Sequence, residues 1–208
     1  MKRFKLLLIF AGLTLFLNCS KDEGPEPPVQ QEEEDISANL LATGESANDL
    51  LANTNFSNLL IEIAYVDGFR PSPTTMANFE DFLRDRTFKE NITVQYQLLQ
   101  SPGEETLTLQ EIADLETANR TAYNEGNTLA VYIYFADAPA DSDDEEQNLV
   151  TLGSVYRNTS MVIYESTVRA IATRSSQITI ADVEEAVLSH EFGHLFGLVN
   201  LGSPMVTP

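Results

Sequence analysis

The sequence predicts an α/β fold: a mostly parallel, twisted sheet with an antiparallel edge strand, and helices packed on it. Three observations carry this. Three strand-like runs of mainly apolar residues, near 60, 95 and 132, are separated by segments with helical spacing. A strand, helix, strand, helix, strand order calls for parallel strands joined by right-handed crossovers. Two shorter strand-like runs then follow one another across a tight turn, a pair suited to a sheet edge, and a last helix ends the chain.

Taken in order, Lys2, Arg3 and Lys5 precede an apolar run from Leu6 to Leu17, and Cys19 follows. A basic start and an apolar stretch of that length make a secretory signal, too short for a membrane span. The one cysteine of the chain stands where such a signal is cut, and the arrangement resembles a bacterial lipoprotein signal (1–18), with Cys19 acylated. Acyl chains would then tie the protein to the membrane. A single cysteine excludes an internal disulfide. Residues 19–39 read as the lipidated cysteine and an acidic, Pro- and Gln-rich tether with little to bury. Ser20-Lys21-Asp22-Glu23 resembles the acidic tag that sends some lipoproteins to the outer face of the outer membrane.

Residues 40–208 are one domain's worth of chain, long enough for a sizeable core. Ser46 to Leu51 is a short helix. Leu59 to Tyr65 is apolar nearly throughout and reads as a strand buried on both faces. Asp67-Gly68, Pro71 and Pro73 turn the chain. Thr75 to Phe88 carries Met76, Phe79, Phe82 and Leu83 at helical spacing. Ile92 to Leu99 alternates as a strand, with Ile92, Val94, Tyr96 and Leu98 on one face. Ser101-Pro102-Gly103 ends it. Thr108 and Glu111 form a capping box that opens a helix reaching about Tyr123. Leu129 to Phe135 is the most strand-like stretch of all.

Asp141 to Glu146 is a dense acidic loop, without the spacing or glycine of a calcium-loop motif, and it reads as a solvated turn. Leu149 to Val155 and Met161 to Tyr164 are the two short strands, turning at Arg157-Asn158-Thr159. At a sheet edge such a pair offers unpaired backbone to an extended peptide. Thr167 to Ser175 is a connecting helical turn. Thr179 caps the last helix, with Asp182 in place of the usual Glu or Gln of a capping box.

That helix carries His190-Glu191-Phe192-Gly193-His194, which fits the H-E-x-x-H pattern. The two histidines stand i, i+4 on one face, so both imidazoles reach a single tetrahedral metal. They are the only histidines in the chain, and Val183, Ala186 and Val187 share their stripe, which aims them inward. Glu191 lies between them, where a carboxylate can take a proton from an activated water and hand it to a leaving amine. Gly197 stands where the helix must stop and the backbone turn to bring in a third ligand. Asn200 occupies that third place, a weak zinc donor beside imidazole or carboxylate. No Asp, Glu or His follows Glu191 and His194 before Pro208. Either the third ligand lies beyond residue 208 or the site is incomplete.

The element order followed by this helix resembles the N-terminal subdomain of a zincin, and Gly197 leans towards the metzincins. His190 to Met205 (HEFGHLFGLVNLGSPM) is similar to a family of bacterial lipoprotein membrane metalloproteases, which share the lipoprotein signal, the acidic linker and the Gly-Leu-Val-Asn continuation. The resemblance implies one zinc ion on His190 and His194, Glu191 as catalytic base, and a further histidine and a methionine turn downstream, for which Met205 comes too soon. The expected function is a zinc metalloendopeptidase held at the bacterial outer membrane or cell surface, acting on polypeptides. Two alternatives stand beside it: a degenerate zincin serving as a surface binding module, and a structural lipoprotein with incidental histidines.

Charge narrows the partners. Without residues 1–18, nine basic residues remain against 32 acidic ones, a balance of -23. Such a surface argues against nucleic acid and against electrostatic adhesion to anionic lipid.

Overall fold

The computed structural model describes residues 35–144, 146–147 and 149–198. The signal, Cys19, the tether to residue 34, Asn200 and Met205 lie outside the described residues. No helix among the described residues is long and apolar enough to cross a membrane.

Five strands form one sheet in the order β2-β1-β3-β5-β4, with ranges β1 Asn58–Val66, β2 Asn91–Leu99, β3 Thr128–Phe135, β4 Gly153–Arg157 and β5 Ser160–Ile163. β1 pairs in parallel with β2 and β3, β3 pairs in parallel with β5, and β4 closes the order as an antiparallel edge strand. The predicted mixed α/β architecture, mainly parallel with an antiparallel edge, is the observed one.

The pleat sorts the core into two layers, because alternate residues of a strand point to opposite faces. Leu59, Ile61 and Ile63 of β1 and Leu129, Val131, Ile133 and Phe135 of β3 meet α2 (Pro73–Arg86) and α5 (Ile180–Leu195) on one face. Ala64, Tyr132, Tyr134 and Val162 face the other way, onto Ile112 of α3 (Leu109–Asn119). The first crossover runs through α2 on one face. The second returns across β1 through α3 on the other. Reversing direction and face together keeps both crossovers of one hand.

Several boundaries differ from expectation, each for a local reason. α2 starts at Pro73, not Thr75, since the Ser72 hydroxyl accepts from Thr75 N and Pro73 fits the first helical position. α3 stops at Asn119 rather than near Tyr123. Thr121 N and Ala122 N instead donate to the buried carboxylate of Glu62, and the Arg120 guanidinium turns inward to Glu116 Oε1, Ala130 O and Ala122 O. On β2 the expected apolar face is only partly covered. Ile92 and Val94 are half-buried while Tyr96 and Leu98 are exposed, because β2 is the other edge of the sheet.

The run from Leu149 does not enter the sheet until Gly153. Leu149 exchanges backbone hydrogen bonds with Asp144, and Thr151 N donates to Asp143 Oδ1, so the acidic loop holds these residues back. The stretch expected as a connecting turn forms a regular helix, α4 (Glu165–Ala172). At the other end, the folded unit begins at Asp35, ahead of the expected boundary at 40. Asn39 is fully buried, its amide donating to Asn124 Oδ1, Ala130 O and Thr159 Oγ1, which brings Ser37–Asn39 into the domain. The expected short helix is α1 (Ala47–Leu51).

Candidate metal centre

α5 is fixed at both ends and along its buried side before it presents any chemistry. At its start the capping box closes with Asp182: the Thr179 hydroxyl accepts from Asp182 N, and the Asp182 carboxylate accepts from Thr179 N. The bonds this carboxylate accepts from Thr179 N and the Thr179 hydroxyl hold it below its usual range. Asp serves as well as Glu here because its shorter arm still reaches the cap. Further along, Glu184 is fully buried and accepts from Ser72 N and from the Thr75 hydroxyl, which locks α5 to the first turn of α2. Phe192 packs edge-on against Phe79 of α2, with ring centroids 5.3 Å apart.

The helix ends in a Schellman turn, with Leu198 N donating to Gly193 O and Gly197 N to His194 O. Gly197 has φ +76°, the left-handed conformation that a side chain disfavours. The glycine therefore ends the helix as its position requires.

His190 and His194 turn their Nε2 atoms towards one another at 3.2 Å, the rings being 85° apart in plane. With a Glu191 oxygen they form a group whose donor atoms all lie within 4.8 Å of one another. Two imidazoles and a carboxylate at that spacing suit zinc in donor type. His194 Nδ1 is buried without a partner among the described residues, where a metal-bound imidazole usually donates to a further group. The two histidines expected as metal ligands are thus brought together. Asn200, the weak third, lies outside the described residues.

The expectation that the histidines point into the core is corrected. His190 is exposed and His194 half-buried, and Ala186 is exposed as well. The buried side of α5 is made by Glu184, Val187, Leu188, Glu191, Phe192 and Leu195, so the histidines fall at its margin. His190 opens onto a cleft of about 790 Å³ between α5 and the approach to β4, walled by Leu152, Gly153, Ile178, Val183, Val187 and Glu191.

Glu191 is the buried member of the group, 7% exposed. Burial pushes its carboxyl up to about 7. Two further residues shape the site without motif identity: Glu184, which fixes the helix, and Gly153, whose absent side chain leaves room for Glu191. A glycine within a strand-like run is a sign of close backbone approach, and Gly153 bears that sign. Glu184 bears none, since one acid among several on a helix announces nothing about burial.

No protein-family model, curated protein or solved structure matches the chain.

Proposed function

We propose that the chain is a zinc-dependent metalloendopeptidase of the zincin type, anchored to the bacterial cell envelope through a lipid on Cys19. One observation carries the reading: two imidazole Nε2 atoms converge at 3.2 Å beside a buried carboxylate, and His190 and that carboxylate line an open cleft. His190 and His194 would hold the ion, with the third donor from Asn200 or from a residue beyond Pro208. Zinc, when bound there, supplies a Lewis acid that eases ionisation of a water and polarises a carbonyl.

The chain's own residues do the rest. Glu191 takes a proton from the attacking water and returns it to the leaving amine, the two tasks open to a buried carboxylate set between the two histidines. β4 lies at the sheet edge beside the cleft, so an extended peptide can add to it by backbone hydrogen bonds. Ile178, Val183 and Val187 make that cleft apolar and favour a peptide with an apolar side chain next to the bond.

The test is Glu191→Gln. The variant should keep one zinc per chain and lose peptide cleavage by about 10²- to 10⁴-fold. Activity retained would remove Glu191 from the chemistry. A second reading, a binding module of the same type without catalysis, is favoured by Asn200 in the third-ligand place. Its sign is a full-length protein that takes up no zinc.

A further inference from the structure

We infer that Gly153 is a positioning residue for Glu191: its missing side chain lets β4 close over the stem of the carboxylate and so dictates where the carboxylate points. The inference rests on the reading of Glu191 as the base.

A Cβ built on Gly153 would lie 2.6 Å from Glu191 Cγ, and 3.0 Å from both Cδ and Oε1. The closest approach is to the stem, not the tip. Rotating the carboxylate about its last bond therefore relieves nothing, and either the whole side chain changes rotamer or the two backbones part.

Neither backbone is free to retreat. β4 is held by pairing with β5, Gly153 opposite Ile163 and Ser154 opposite Val162. α5 is held by Glu184 on Ser72 and Thr75 and by Phe192 on Phe79. A side chain at 153 must then be accommodated by Glu191 itself.

Backbone conformation does not explain this glycine. The glycines with positive φ are Gly44, Gly68, Gly103, Gly126 and Gly197, and Gly153 is not among them. An alanine there meets no φ penalty, and within a strand glycine is the less stable choice. The substitution Gly153→Ala thus isolates the contact with Glu191.

The experiment uses the full chain loaded with zinc. Gly153→Ala should lower kcat by about 100-fold, the scale of a displacement of about 1 Å in a reacting group. Zinc per chain should stay at the wild-type value, since the histidines are not touched. Melting temperatures of four proteins give a readout apart from activity: wild type, Gly153→Ala, Glu191→Ala and the double variant. Gly153→Ala should lower the melting temperature of the wild type. In the Glu191→Ala background, where Cγ is gone, it should leave the temperature unchanged or raise it. If Gly153→Ala alone does not fold, a folded double variant shows the same coupling.

Unchanged kcat in Gly153→Ala, or an equal loss of melting temperature in both backgrounds, would overturn the inference. A wild-type protein that holds zinc but cleaves no peptide would sink the peptidase reading, while the melting-temperature comparison would still decide whether Gly153 holds Glu191 in place.

Discussion

The Nε2 atoms of His190 and His194 face one another at 3.2 Å across a single helical turn. Two ring nitrogens in this pose can meet a single cation, and i, i+4 spacing alone does not dictate it, because the rings could equally have splayed to either side. Their convergence is thus a property of this site beyond its sequence spacing.

Zinc should consequently stabilise the fold through these two side chains. At free zinc 100-fold above Kd, binding adds about 2.7 kcal/mol to the stability of the wild type. The variant with both His190→Ala and His194→Ala should show no such gain and no zinc by elemental analysis after gel filtration. Equal zinc content in wild type and variant would make the histidines incidental and favour the structural-lipoprotein alternative.

Buried acid behind the site predicts a pH dependence of stability. Glu165, at the start of α4, is fully buried; its Oε1 accepts from Arg169 Nε at 2.5 Å, and its Oε2 has no partner among the described residues. Burial raises its carboxyl from 4.5 to about 8, opposed by Arg169 and assisted by the carboxylate of Glu184 on α5. The folded chain then keeps a proton that the unfolded chain releases, so this group's contribution is complete below pH 4.5 and is lost as the pH rises towards about 8. Glu165→Gln keeps the shape and cannot ionise. Urea denaturation across that range should give a shallower fall for the variant than for wild type, and identical slopes would refute the assignment.

The parts of the fold legible in the sequence are those that local rules determine. β1 and β3 announce themselves by continuous apolar runs, and both capping boxes closed as their spacing required. The order of crossovers followed from alternation alone. What escaped was set by distant partners. α3 ends early because Glu62, far back on β1, claims the amides of Thr121 and Ala122. The entry of the Leu149 run into the sheet is delayed by Asp143 and Asp144 in a loop whose charges suggested only solvent. At the site, the spacing of His190 and His194 was plain, yet their exposure was not. A stripe of small and apolar residues lines an open cleft as readily as a core, and only the placement of β4 beside Val187 distinguishes the two.

Lys89 illustrates a dependence on one such distant partner. Its ammonium donates to the carbonyls of Asp49, Ala52 and Phe56 at 2.5, 2.7 and 2.5 Å, gathering the end of α1 and the following loop onto the start of β2. Burial lowers its pKa, with the charge of Asp49 opposing. Lys89→Met keeps most of the stem and leaves all three carbonyls without this donor. A loss of about 1–3 kcal/mol is expected, read as a lower urea midpoint with an unchanged slope. An unchanged midpoint would mean that water replaces the ammonium at no cost.

The end of α5 offers the sharpest test of how the fold serves the histidines. Gly197 holds φ +76°, and a Cβ there would stand 3.4 Å from the Cβ of Ala47 at the start of α1. Gly197→Ala should therefore cost about 1–2 kcal/mol from the left-handed backbone, with tight packing against α1 adding to it. Gly197→Asn separates these causes, since Asn tolerates the left-handed region but still carries a Cβ. If backbone strain dominates, Asn is the milder change. If the contact with Ala47 dominates, Asn is at least as harmful as Ala. In either case the turn that Gly197 closes onto His194 O is the one that ends the helix just past the second histidine, so a frayed end should weaken zinc binding in proportion to the stability lost. Circular dichroism melts of the three proteins, with zinc titrated into each, would measure both quantities. Wild-type stability in both variants would show that the helix ends there for reasons other than its glycine.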